Sequence, residues 1–275
     1  MSDEPKDEPH LGEDEREQAH QLEGVPTSVI FEAIRREGKR ELSRTVRALW
    51  WSGVAAGLAI STSVLCKGFL VAVLPETEWT PAIANLGYTV GFLIVILGRL
   101  QLFTENTITP ILTLFLSPTR ECLARTARLW SIVFVANMVG CLAAAAVLVS
   151  GNLVPEAQFE GILAVSRHYA EATAMQHLTF GIPAGFLIAS LVWVLPRLEG
   201  TGEVLIIIIL TYMIGLGGLS HVVAGATELF ILMLEGEISV AKAVVGGVLP
   251  AFVGNVIGGT GIFAALTYGQ VRDEM

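Results

Sequence analysis

The sequence predicts an all-α membrane protein, with six transmembrane helices in two inverted three-helix repeats and the second and fifth helices broken. Three observations predict it. The 275-residue chain is 53% hydrophobic and only 16% charged, with a mean hydropathy of +0.63, outside the range of soluble globular domains. Six apolar segments each reach the roughly 20 residues that a spanning helix needs. Finally, Phe134-Val-Ala-Asn137-Met-Val-Gly140 and Phe252-Val-Gly-Asn255-Val-Ile-Gly258 lie 118 residues apart inside apolar segments. An amide in lipid carries a desolvation cost, so its recurrence at one register points to duplication.

Residues 1–27 form an acidic tail. The first 24 residues hold nine acids against Lys6 and Arg16, a net −7, which leaves −2 of the total −9 for the remainder. Lacking aromatic residues, this tail is expected to be disordered. Over residues 28–48, Ile30, Ile34, Gly38, Leu42 and Val46 recur every four residues among Arg and Lys. This predicts an amphipathic helix lying at the cytoplasmic interface or packing on a neighbouring protomer. No cleavable signal peptide is expected, because the first long apolar run begins only near Leu49, after a charged stretch too long for an n-region.

The transmembrane domain, residues 49–270, holds apolar segments at about 49–74, 82–116, 129–150, 174–195, 203–234 and 240–268. Residues 271–275 form the C-terminus. The second and fifth segments are too long for one span each. Gly98-Arg-Leu-Gln-Leu-Phe-Thr-Glu-Asn-Thr-Ile-Thr-Pro110 interrupts the second and Gly215-Leu-Gly-Gly-Leu-Ser-His-Val-Val-Ala-Gly-Ala-Thr227 the fifth. Glycine, proline and polar residues at mid-membrane predict broken helices, whose freed backbone groups must face protein or a water-filled path.

If the segments are crossed in turn, eleven basic residues fall on one side: Arg35, Arg36, Lys39, Arg40, Arg44, Arg47, Arg120, Arg125, Arg128, Arg197 and Arg272. The other side has Arg167 and, near helix ends, Lys67 and Lys242. This bias places both termini in the cytoplasm. Shifting by 118 residues also lays Leu102-Phe-Thr-Glu-Asn106 over Ser220-His-Val-Val-Ala224, and a further ten-residue gap lays Trp51–Leu58 over Thr179–Phe186. Each half then has a plain helix, a broken helix and an Asn-bearing helix. Three crossings are an odd number, so the second half is upside down, an arrangement associated with a transport pathway between the halves.

Gly91-Phe-Leu-Ile-Val-Ile-Leu-Gly98 followed by Leu102-Phe-Thr, then Ser220-His221, then Val253-Gly-Asn255-Val-Ile-Gly-Gly259 resemble the formate/nitrite transporter family, in the family's order and spacing, over residues 28–270. The resemblance implies an aquaporin-like six-helix protomer in a homopentamer of the bacterial inner membrane, with one pore per protomer passing small monovalent anions such as formate, nitrite, hydrosulfide or lactate. It also implies that Leu102, Phe103 and Thr104 form a constriction, that His221 is the central histidine and that Asn255 faces the pore. Phe92, in the first motif, joins the candidate pore residues. Gln101 stands where better-known members have an acidic residue and Gly185 where they have an asparagine. Together with Arg99 and Glu105-Asn106, these departures resemble the YfdC-like branch.

The residues carry their own physical reading. His221 lies in a segment otherwise made of Ile, Leu, Gly and Val, where an imidazole must be hydrogen-bonded. A bare anion cannot cross apolar collars of Phe and Leu, so His221 either donates or relays a proton to it or holds it by a hydrogen bond, with Thr104 as a second donor. A structural histidine bonded to a loop carbonyl is the alternative, and His177 is placed near the outer end of segment four. Asn137 and Asn255 either face the path or tie down free backbone of the neighbouring broken helices, with Gly140, Gly258 and Gly259 permitting close packing. Arg99 is expected to pair with Glu105 or Glu228 as a brace, unless Glu105 faces the inner vestibule. Lys67, roughly 27 Å along the first helix, is expected to snorkel to the outer surface, where it would also attract anions.

Cys66, Cys122 and Cys141 are read as small buried residues. The chain contains no HExxH, CxxC, GxSxG or GxxxxGK[ST] run, which argues against an enzyme, and no cofactor, metal or nucleic-acid partner is expected. Neither does it contain the Asn-Pro-Ala pairs of a water channel. The expected partners are a small anion and the lipid bilayer.

Overall fold

The computed structural model describes residues 24–151 and 153–273, and the acidic tail expected at the N-terminus lies almost wholly outside them. The described residues form helices and turns with no strand. In chain order these are α1 (Thr27–Ser43), α2 (Val46–Val73), α3 (Thr80–Leu97), α4 (Thr109–Leu116), α5 (Arg120–Val149), α6 (Glu156–Ala170), α7 (Ala174–Val194), α8 (Thr201–Leu216), α9 (Val222–Leu234) and α10 (Val240–Val271). Five helices are long and apolar enough to cross a membrane: α2, α3, α5, α7 with its Leu195–Arg197 extension, and α10. The apolar α8 and α9 are shorter.

Helix α1 buries Ile30, Phe31, Ile34, Gly38 and Leu42. It packs on α4 of its own chain: Gly38 has no side chain to keep it off the Thr109 carbonyl, and the Thr113 hydroxyl donates to the Arg35 carbonyl at 3.1 Å. Val46 is not on this apolar stripe. The helix stops at Ser43, and Thr45 caps α2 by accepting the Ala48 N–H at 3.3 Å. Hydrogen bonds from Arg35 and Arg36 hold the half-buried Glu32 carboxyl down at about 2. Its folded value lies below the ordinary one, so this small contribution is present above the ordinary carboxylate range and is lost as pH falls toward about 2.

Small residues set the helix spacing, as expected where lipid removes the hydrophobic drive between helices. A methyl group at Gly57 would land on the Asn137 carbonyl and one at Gly140 on the Val54 carbonyl, so α2 and α5 touch backbone to backbone. Gly185 and Gly258 play the same part between α7 and α10, against the Asn255 backbone and the Ile182 carbonyl. Helix α6 was not among the expected segments, because its Glu, Gln, Arg and His residues mask a short apolar face. Gly161 and Ile162 of that face seat on Gly68 of α2. Of the cysteines only Cys141 is buried; Cys66 and Cys122 are half-buried.

Between α3 and α4 the chain turns through residues 98–104 and one 3-10 turn, Glu105–Thr107. Pro110 sits in the first turn of α4, where it lacks only an N–H that has no helical partner. Between α8 and α9 it turns through residues 217–221. Helix α9 is buried without interruption from Val222 to Leu232. Helix α10 contains two π-helical stretches, Val244–Val248 and Ile257–Ala264, on either side of Asn255. Replacing Gly185 by Ala puts a methyl group within 3 Å of the Asn255 backbone. The expected cost is about 1–3 kcal/mol of overpacking, read as a lower melting temperature in detergent, whereas Gly261→Ala, in open space, leaves the melt unchanged.

Candidate functional site

Two asparagines organise the interior. Asn137 Oδ1 accepts the Phe103 N–H at 2.8 Å, and its Nδ2 donates to the Gly53 and Gln101 carbonyls, both at 2.8 Å. Asn255 Oδ1 accepts the Val222 N–H at 2.9 Å, and its Nδ2 donates to the Gly181 carbonyl at 2.9 Å and the Ser220 carbonyl at 2.7 Å. Each amide thus spends all three bonds on backbone, two of them on the turn where a neighbouring helix stops. Both are fully buried. This is the tying role left open by the sequence.

The matching bonds correct the overlay of the two turns. Gln101 and Phe103 answer to Ser220 and Val222, 119 residues on rather than 118. Arg99, with φ 50°, answers to Gly218, with φ 60°. His221 therefore corresponds to Leu102, not to Phe103. Arg99 holds a left-handed conformation that costs a non-glycine residue roughly 1–2 kcal/mol. It is exposed, and no ion pair joins it to Glu105 or Glu228 among the described residues. The expected brace is not made: Arg99 stands exposed on a left-handed turn, while Glu228 is buried.

The two turns meet at one polar contact. His221 Nε2 lies 2.8 Å from Thr104 Oγ1, and its Nδ1 accepts the Ala224 N–H at 3.2 Å, capping α9. One aromatic ring packs on the histidine, and a second aromatic cluster is built on Phe103, the residue before Thr104. Phe92 meets the imidazole edge-on at 4.9 Å and lies 5.4 Å from Tyr88. Phe103 stacks on Phe252 at 4.9 Å and meets Phe134 at 5.3 Å and Trp130 at 5.7 Å. Leu102, Phe103, Thr104, Phe92 and His221 are all fully buried. Phe134 and Phe252 each stand three residues before the repeated asparagine and touch each other at 4.8 Å. Neither was among the expected site residues, although the repeated motif that contains both was a signal that could have marked them.

Glu105 and Asn106 lie on the α1 side of this contact. Glu105 Oε1 is buried without a hydrogen-bond partner among the described residues, and Glu41 of α1 accepts a bond from Gln101 Nε2 at 2.8 Å. Asn106 Nδ2 donates to Gln101 Oε1 and to the Leu102 carbonyl, both at 3.2 Å, while its own carbonyl accepts from Trp130 Nε1 at 2.9 Å.

On the other side a cavity of about 660 Å³ runs from the loop after α2 and the end of α6 down to Ser220 and Glu228. Lys67 lines it instead of snorkelling outward, its ammonium 5.8 Å from the centre of the Tyr88 ring. Glu228 lines it too. His177 carries more than its sequence position suggested. It is fully buried on the first turn of α7, with Nδ1 3.1 Å from Ser220 Oγ, its ring 4.8 Å from Tyr169, and Nε2 without a partner among the described residues. No sequence signal marked it, because its partner Ser220 is brought near only by the turn after α8.

The model of the formate/nitrite transporter family matches residues 28–269. The chain belongs to this family. It is therefore a membrane channel or transporter and not an enzyme. Inner membrane protein YfdC of Escherichia coli (strain K12) is 34% identical over 279 residues, covering 99% of this chain and 90% of the relative. Uncharacterized transporter YrhG of Bacillus subtilis (strain 168) is 26% identical over 247 residues, covering 87% and 90%. Among solved structures, an FNT family ion channel superposes with a TM-score of 0.76 at 20% identity, covering 89% of this chain and 99% of the other. A pentameric formate channel with formate bound gives 0.70 at 17% identity, covering 82% and 97%. Both share the fold of this transporter.

Truncating Asn255 to Ala leaves the Val222 N–H and the Gly181 and Ser220 carbonyls without their amide. At roughly 1–3 kcal/mol for each stranded group, the variant is expected to lose most of its folded yield. Asn255→Asp keeps the acceptor but turns a carboxylate onto two carbonyls. It should melt no higher than the Ala variant, and near wild-type melting of Asp would show that the amide donors do not matter.

Proposed function

We propose that this member of the formate/nitrite transporter family conducts a small monovalent anion of a weak acid, of the formate or nitrite class, through a pore in each protomer. The observation that carries the reading is the Thr104–His221 contact at 2.8 Å, a fully buried polar pair with the ring of Phe92 packed on the imidazole. An ion entering that space loses its water, and desolvation penalises the charged form. Passage is therefore made by the neutral acid, or by an anion held at each step by a donor. Because His221 Nδ1 accepts a backbone N–H, a neutral ring carries its proton on Nε2, donates it to Thr104, and leaves the Thr104 hydroxyl proton free for the substrate. This geometry supports the hydrogen-bonding role of His221 over the proton-donating one. Asn255 then acts from behind the path, by fixing Ser220 and Val222.

The matching Asn137 and Asn255 clamps support two inverted three-helix halves with the second and fifth spans broken, in an aquaporin-like plan. The relatives' descriptions support a homopentamer in a bacterial inner membrane. The excess of Arg and Lys beside α1, α5 and the end of α10 supports cytoplasmic termini. An aquaporin-like pore for neutral solutes is the rival reading.

Proteoliposomes separate the two. Labelled formate and nitrite are expected to enter with wild-type protein, and flux should fall about tenfold or more in Thr104→Val, which keeps the shape and loses the donor, and in His221→Ala, consistent with losing one buried polar partner at roughly 1–3 kcal/mol. Water flux without anion flux would favour the neutral-solute pore, and no flux of either kind would favour a non-conducting protein.

A further inference from the structure

His221 has no spare nitrogen. Its Nδ1 caps α9 and its Nε2 is engaged with Thr104, so adding a second proton to the ring breaks the cap. A weak-acid anion that becomes neutral before reaching Phe92 and Phe103 must take its proton elsewhere. Of the carboxylic side chains lining the cavity that leads to Ser220, Glu76 and Glu171 stand exposed at the mouth and Glu228 is buried, at 4% exposure.

Glu228 forms no ion pair within 4.0 Å among the described residues. The titratable groups that face it are Lys67 of α2, Tyr88 of α3 and Tyr169 of α6. Elsewhere around α9, the Cys141 thiol of α5 is turned to the Val223 carbonyl at 3.3 Å and Lys242 of α10 to the Ala172 carbonyl at 3.0 Å. The cavity therefore holds one ammonium, that of Lys67, and one buried carboxyl, that of Glu228, and it reaches Ser220 of the turn that carries His221.

We propose that Glu228 and Lys67 form a proton-loading station for the substrate. The Lys67 ammonium holds the anion, and Glu228 in its carboxylic acid form passes its proton to an oxygen of that anion. A lone pair of the substrate oxygen becomes the new O–H bond, and the old O–H bonding pair stays on Glu228 as its carboxylate. Before the transfer the site holds Lys67 as a cation, a neutral Glu228 and one anion. Afterwards it holds the Lys67–Glu228 ion pair and a neutral acid. The sum of charge is zero throughout, so no isolated charge is created in a low-dielectric site. The neutral acid moves on toward Thr104, and Glu228 recovers a proton from water entering the open cavity. The station accepts small oxyanions of weak acids and not anions of strong acids, which would keep their charge.

The inference rests on the weak-acid reading of the pathway, and two readouts separate them. In proteoliposomes with an internal pH dye, wild-type protein should take up labelled formate and acidify the lumen together. Glu228→Gln should slow both about tenfold or more, Glu228→Asp should recover most of the rate, and Lys67→Met should raise the half-saturating formate concentration. Melting temperature and elution volume of each variant report folding. In the second readout, infrared difference spectra on adding formate to wild-type protein should show loss of a carboxylic acid band and gain of a carboxylate band, both missing in Glu228→Gln. Wild-type formate flux with lumen acidification in Glu228→Gln overturns the proposal, and so does a spectrum without the carboxyl change. If wild-type protein moves no formate at all, the transport reading falls, while the infrared titration still decides whether Glu228 exchanges its proton with the ligand.

Discussion

Backbone N–H and C=O groups that leave a helix inside an apolar bundle have no water to turn to, and everything else in this protein depends on where they go. Asn137 and Asn255 supply the answer twice, each with one acceptor and two donors on main-chain groups. A side-chain amide supplies an acceptor and two donors at one point, whereas an ionised carboxylate only accepts and an ammonium only donates. The glycines follow from the same demand. Gly53 and Gly181 offer their carbonyls to the clamps, and Gly57, Gly140 and Gly185 bring the flanking helices close enough for an Asn side chain to span two elements.

Once the turns are fixed, the polar interior becomes small and specific. The turn after α3 presents Thr104 and the turn after α8 presents His221, and the two side chains meet in the fully buried interior. The same two turns differ in residue type at the corresponding position, Leu102 in one and His221 in the other. A scaffold repeated in its clamps is thus filled asymmetrically. On one side stand the acidic groups of α1 and Glu105, on the other the open cavity with Lys67 and Glu228. In the proposed pathway the substrate's charge changes in that cavity and its hydrogen bonding is handled at Thr104, so the two tasks fall on different residues.

Much of this was legible in the sequence, for physical reasons that can be named. The all-α apolar character followed from composition, and the family from three motifs in order. The clamps were visible because an amide in an apolar helix is costly enough that its repetition stands out. The one-residue offset between the turns was not visible, since overlaying turns by the spacing of the asparagines ignores an extra residue that only the hydrogen-bond pattern reveals. Arg99 misled because its sequence depth suggested a buried charge, whereas it stands exposed on a left-handed turn. Lys67 misled in the opposite sense: eighteen residues along a helix would reach the surface, but α6 and the loop before α3 wall in the cavity around it. His177 and α6 escaped because their burial is created by contacts between distant segments, which no local pattern records.

Both ring nitrogens of His221 are engaged, Nδ1 by the Ala224 N–H and Nε2 by Thr104, and in the proposed pathway the ring shapes the polar contact without carrying the substrate's proton. Nitrogen NMR of protein labelled at histidine, with His221→Asn used to assign the signal, tests it most directly. The expected signal is that of a neutral ring with its proton on Nε2 and a bare, hydrogen-bonded Nδ1, unchanged when formate is added. A ring protonated on Nδ1, or one that becomes doubly protonated as formate binds, would contradict it.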